Sequence, residues 1–204
     1  MTAREAVLER VREALANAPA PPTIPRGYVQ SGAAEGLVED FAGRVREYRG
    51  VVVRTDNAKD AIEAVLATER ARRIAIPPHL PARLRPRNAA VFTDRGLSPR
   101  QLDRLQGALT TCGAACAVTG TIALDGGPGQ GRRALTLVPD LHVCVVREDQ
   151  IVETVPELIR AVEPAAREGR PIVLVSGPSA TSDIELQRVE GVHGPRRLIV
   201  ILER

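Results

Sequence analysis

Leu37 to Ile76 reads LVEDFAGRVREYRGVVVRTDNAKDAIEAVLATERARRIAI, and in it helical patterns and short β-branched runs take turns. Leu37 to Tyr48 carries helical spacing, Val51 to Val53 reads as strand, Ala58 to Thr68 as helix and Arg73 to Ile76 as strand again. Alternation of this kind signals βαβ units and a mostly parallel sheet. The pattern continues outward. Ala89 to Phe92, Thr121 to Leu124, Leu141 to Val146, Ile172 to Val175 and Leu198 to Leu202 read as further strands, with a helix from Val155 to Arg167. The expected fold class is α/β, a mostly parallel sheet covered by helices. In such folds ligands gather beyond the carboxyl ends of the strands.

Upstream of this region the chain changes character. Val7, Leu8, Val11 and Leu15 lie on one face of a helical pattern from Arg4 to Ala18, with Glu and Arg on the other. Pro19, Pro21, Pro22 and Pro25 then forbid helix and favour an extended connection, which Gly27, Gly32 and Gly36 prolong. Residues 1–35 are therefore read as an N-terminal helical arm and residues 36–204 as a single α/β domain, in keeping with a length of 204 residues. The arm's apolar stripe either packs on its own domain or is kept for a partner.

Composition excludes several classes of function. Arginine and lysine number 28 and acids 25, so 28 − 25 leaves a net charge of +3, too weak and mixed a field for nucleic acid. Lys59 is the one lysine. With Tyr28, Phe41, Tyr48 and Phe92 the only aromatic residues, a base-stacking platform could hardly be built. No apolar run approaches the roughly 20 residues of a membrane span. Glu5, Glu9 and Glu13 stand where a targeting peptide avoids acids, so a cytoplasmic location is expected. Cys112, Cys116 and Cys144 are odd in number, which fits free thiols in a reducing compartment. Together with His142 they supply soft metal ligands, but the two-residue spacing of zinc knuckles and ferredoxins is missing and no metal is expected.

One loop stands out for chemistry. Asp125-Gly126-Gly127-Pro128-Gly129-Gln130-Gly131-Arg132-Arg133 has four glycines in six positions, which lets backbone amides approach an anion, and two arginines follow at once. Arg132 and Arg133 stand where a nucleotide P-loop needs Lys and Ser/Thr, and the dinucleotide fingerprint lacks its third glycine. What remains is a strand-loop-strand with cationic side chains: an anion site, or a flexible hairpin with solvated arginines. Further on, the strand ending at Val175 runs into Ser176-Gly177-Pro178-Ser179-Ala180-Thr181-Ser182-Asp183-Ile184-Glu185. Ser182 and Glu185 have capping-box spacing, so a short helix is expected here. Its free amides could meet a carboxylate or phosphate, or its hydroxyls could only cap and turn.

Of the histidines, His142 lies inside a strand and reads as a buried ring, and His79 among prolines as loop surface. His193, with Gly191 and Gly194 close by, could reach a cleft and is the candidate catalytic residue. Arg83, Arg85, Arg87, Arg95, Arg100 and Arg104 against only Asp94 and Asp103 form either a solvated basic face or a docking surface.

Thr119-Gly120-Thr121-Ile122, Gly127 to Arg133, Leu137-Val138-Pro139-Asp140-Leu141-His142, Ser176 to Glu185 and Val189-Glu190-Gly191-Val192-His193-Gly194-Pro195 follow in an order and spacing that closely resembles the LutC/YkgG family of LUD-domain proteins. The resemblance implies a three-layer α/β/α sandwich similar to the NagB/RpiA/CoA-transferase group. It also implies a part in oxidising L-lactate to pyruvate beside iron-sulfur partner subunits, which would carry the clusters. Relatives often hold acids where this chain has Val118 and Gly113. The expected ligand-binding residues are Thr119, Gly120, Thr121, Gly127, Gly129, Gly131, Arg132, Arg133, Ser179, Thr181 and Ser182, converging with His193 near the strand ends on a small anion. Two other functions fit the same residues: an independent enzyme of this fold group acting on an acyl-CoA, sugar phosphate or folate, and a non-catalytic adaptor.

Overall fold

The computed structural model describes residues 2–16, 22–27, 29–32, 35–182, 188–191 and 193–204, with only the backbone described at 180–182 and 188–190. Helix α1 (Ala3–Leu15) opens with a reciprocal cap between Thr2 and Glu5 and buries none of its residues. Helix α2 (Leu37–Glu47) buries Phe41, Ala42 and Val45. Strand β1 (Val51–Thr55) leads through the Asn57 cap into α3 (Ala58–Thr68), followed by β2 (Arg73–Ile76), β3 (Ala90–Thr93) and the short α4 (Pro99–Asp103). Next come β4 (Gly107–Thr111), β5 (Ala114–Cys116), β6 (Thr121–Leu124), β7 (Leu141–Arg147), β8 (Ile151–Val152) and α5 (Val155–Arg167). The chain ends with β9 (Val173–Val175), β10 (Ala180–Ser182), β11 (Arg188–Glu190) and β12 (Arg197–Glu203).

The main sheet has six strands in the order β1-β12-β7-β4-β2-β3, and every pairing in it is parallel. Its central strands read as unbroken apolar runs because both faces are covered. The twofold side-chain period divides β7 between two cores. Leu141, Val143 and Val145 join Ile199 and Ile201 of β12 against Ile62, Val65 and Leu66 of α3. Cys144 and Val146 join Leu198, Val200 and Leu202 against Phe41 and Val45 of α2 and Ile122 and Leu124 of β6. The result is a three-layer α/β sandwich built on a mostly parallel sheet.

A second sheet enters the layer beside α2. Its order is β8-β5-β6-β9, with β6 antiparallel to both neighbours, and α5 covers its far face through Leu158 and Val162. The strands read at Thr121 to Leu124 and Ile172 to Val175 therefore belong to this smaller sheet. The helix expected to start at Ser182 falls on residues outside the described ones; the backbone on either side of them pairs antiparallel, with Ser182 opposite Arg188. Residues 183–187 lie outside the described residues. Among the described residues no helix is long and apolar enough to cross a membrane.

Candidate functional site

The segment between β6 and β7 crosses from the carboxyl end of the main sheet, where β4 finishes, to the amino end, where β7 begins. Its glycine-rich first half is folded on itself. Gly127 donates its amide to Asp125 Oδ1 at 2.9 Å, Asp125 donates its own to the buried Gln130 Oε1 at 2.6 Å, and Gly129 accepts from the Thr111 amide at 2.8 Å. Arg170 clasps the loop from outside, donating to the Asp125 carbonyl at 2.8 Å while pairing with the Asp125 and Glu168 carboxylates. Gly127, Gly129 and Gly131 border a cavity of about 420 Å³ with Pro77, His79 and Glu168. The cation there is already paired. The missing Cβ of Gly113 faces the same loop, 3.1 Å from Asp125 Cγ, and Val118 is exposed.

Arg132 turns towards the carboxyl end of β3. Its guanidinium makes a two-pronged pair with Asp94, Nε to Oδ2 at 2.9 Å and Nη2 to Oδ1 at 3.0 Å, and also donates to the Leu97 carbonyl. The Asp94 side chain is 1% exposed. Burial raises the Asp94 pKa, but the hydrogen bonds from Arg132 and from the Leu97 and Gly96 amides outweigh it and hold the carboxyl below its usual range. Arg132 is thus committed to a buried acid, which in the sequence stands only as one of two acids in a basic run.

Arg133 has no such partner. Its contacts are long ones to the Thr136 carbonyl at 3.3 Å, the Thr136 hydroxyl at 3.4 Å and the His193 carbonyl at 3.4 Å. Among the described residues no carboxylate pairs with it. It borders a cavity of about 490 Å³ between β9, the turn that follows β9, the turn before β12 and the amino ends of β7 and β12. His142, His193, Ser176, Ser179 and Thr136 share this cavity, and its described lining contains no carboxylate. A guanidinium among hydroxyls and imidazoles, with no acid near it among the described residues, has the chemistry that suits an anion. It lies at the amino rather than the carboxyl end of the parallel strands.

Several local features hold this cavity in shape. Ser179 Oγ accepts the His193 amide at 2.9 Å, its amide donates to the Pro195 carbonyl at 2.8 Å, and its carbonyl accepts from Gly191 at 2.8 Å. Ser179 therefore fixes the His193 turn. Thr119, Thr121 and Ser176 form a hydroxyl chain with two links of 2.7 Å, which carries the Thr-Gly-Thr motif to the cavity edge through Ser176. Gly120 adopts φ 61°, and a Cβ there would come within 2.9 Å of the backbone carbon of Arg44 in α2. Close packing against α2 thus requires glycine here. The side chains of Thr181 and Ser182 lie outside the described residues.

His142 is buried, 2% exposed, yet it borders the cavity. Its Nε2 lies 2.8 Å from Thr110 Oγ1, which also donates to Cys144 Sγ at 3.8 Å. Behind it Cys112 and Cys144 lie side by side. Of this pair Cys144 ionises first, helped by Cys112, His142 and Thr110, whereas its neighbour's charge and burial push Cys112 up. Among the described residues no three His, Cys, Asp or Glu side chains gather to hold a metal. The structure thus brings Arg133, Ser179 and His193 together and places Arg132 and the loop glycines elsewhere, while Ser176, Thr110 and Tyr48, which also border the cavity or His142, are not among the residues expected from sequence. Ser176 had a signal, since it directly follows a strand end inside a quoted motif.

A LUD domain family model matches residues 86–202. A Deinococcus radiodurans protein named Lactate utilization protein C is 48% identical over 167 residues, spanning 81% of this chain and 79% of that protein. A Bacillus pumilus protein of the same name is 38% identical over 90 residues, which cover 42% of this chain and 37% of the relative. A crystal structure of a DUF162 family protein from Deinococcus radiodurans superposes with a TM-score of 0.72 at 40% identity, covering 82% of this chain and 96% of that one.

Proposed function

The chain belongs to the LUD domain family, and we propose that it is a lactate utilization protein C-like subunit, taking part in oxidation of L-lactate to pyruvate with iron-sulfur partner subunits in the cytoplasm. The observation that carries this reading is the 48% identity, over most of both chains, to a protein named for lactate utilization. The cavity beside Arg133 supports it chemically. A guanidinium with no carboxylate partner among the described residues suits the carboxylate of a hydroxy acid, and His142, His193 and Ser176 offer partners for its hydroxyl. The three cysteines do not fit a cluster, which takes four thiolates or their equivalent, so in this reading the clusters sit on other chains.

The experiment is affinity purification of the tagged chain from its native host grown on L-lactate, with lactate-dependent dye reduction assayed on the eluate. Co-elution of iron-sulfur proteins with that activity supports the reading. A chain that elutes alone and inert from cells oxidising lactate overturns it. The adaptor function is favoured by one observation, the exposed apolar stripe of α1. Subunit association that survives deletion of residues 1–35 removes the arm from that role.

A further inference from the structure

The cavity beside Arg133 is far larger than lactate. A three-carbon hydroxy acid fills on the order of 100 Å³, taking somewhat less per heavy atom than the ~30 Å³ of a water molecule. The cavity measures about 490 Å³. That is within the range, about 300–1,000 Å³, of sites that enclose drug-sized ligands.

Its lining contains two kinds of chemistry. Beside Arg133, His142, His193 and Ser176 stand Tyr48, Val173, Leu174, Pro178 and Leu198. Leu174 is 50% exposed and Tyr48 55% exposed, and both border the cavity. Gly177 places Tyr48 there. At φ 128° the Gly177 backbone passes so close that a Cβ would lie 2.8 Å from Tyr48 Cβ and 3.0 Å from its carbonyl oxygen. A ligand covering these side chains would remove their apolar area from water, which lactate has no body to do.

We infer that the cavity takes a carboxylate bearing an apolar chain or ring, its head at Arg133 and its body against Leu174 and Tyr48. L-lactate is then the smallest acid of the class the cavity accommodates and not the one that fills it. This inference rests on the reading of the cavity as an anion site.

The test is calorimetric titration of the full chain with L-lactate, 2-hydroxyhexanoate and 2-hydroxyoctanoate. Affinity is expected to rise by about fourfold for each methylene that enters the cavity. Arg133→Ala should weaken all three acids by a common factor of about ten or more. Leu174→Ser, at a half-exposed position, should weaken the two longer acids and leave lactate unchanged. Arg133-dependent binding of lactate with no gain along the series overturns this inference while leaving the lactate reading intact. A gain along the series that ignores Arg133→Ala also overturns it, as indiscriminate apolar uptake. Binding of none of the three acids overturns both the inference and the anion site on which it rests.

Discussion

Arg132 and Arg133 are consecutive, identical in type and exposed, yet they serve opposite ends of the molecule. Arg132 reaches back to the buried Asp94 at the carboxyl end of β3 and is fully engaged there. Arg133 reaches forward to the His193 turn, where its contacts are long and no carboxylate answers it among the described residues. The lesson is that an arginine's role is set by what the fold leaves it to pair with. A guanidinium that has found a desolvated acid secures structure, and one that has found only carbonyls and hydroxyls remains able to bind an anion.

Substitutions at the two positions should separate stability from binding. The largest effect is expected from Arg132→Ala, which leaves Asp94 buried with two backbone amides and no cation. About 2–3 kcal/mol of stability should be lost, or roughly 4–12 °C in the thermal midpoint of a chain this long. Lactate affinity should hardly change, and a calorimetric loss as large as that of Arg133→Ala would break the comparison. Arg133→Ala should do the reverse, costing about tenfold in lactate affinity with stability within about 0.5 kcal/mol of wild type. Thr110→Val, which removes the hydroxyl beside His142 Nε2, should cost about 1 kcal/mol in chemical denaturation.

The smallest expected effect is a pH dependence that sharpens the first. The Asp94 pKa is depressed in the folded chain, so its stabilisation is present above the unfolded value, about 3.9. It is lost as pH falls through the lower folded value. The stability gap between wild type and Arg132→Ala should therefore be constant near neutrality and shrink below about pH 4. A gap that persists unchanged into strong acid would show that the Asp94 carboxylate is not what Arg132 stabilises.

Much of the fold was legible because periodicity and caps agree there. Ala58–Thr68, Thr121–Leu124 and Val155–Arg167 form the elements their patterns announce. Gly107–Thr111 and Ala114–Cys116 carry strands with no such pattern, since their alanines, threonines and glycine take strand form from the sheets around them. The site was legible only in part for a similar reason. Motif order kept Arg132 beside Arg133, but Asp94 stands 38 residues upstream and only the folded sheet brings it near. His142 does read as a buried ring. That its strand's amino end also borders a cavity depends on where β9 ends, which no local pattern encodes.

Helix α1 stands apart from both arginines. It has 13 residues and a capped start, but none of its residues is buried, and Val7, Leu8, Val11 and Leu15 are all exposed. Isolated helices shorter than about 12–15 residues are marginal in water. Its amides should therefore exchange with solvent deuterium almost as fast as those of an unstructured peptide, while those of β7 and β12 exchange only when the whole domain opens.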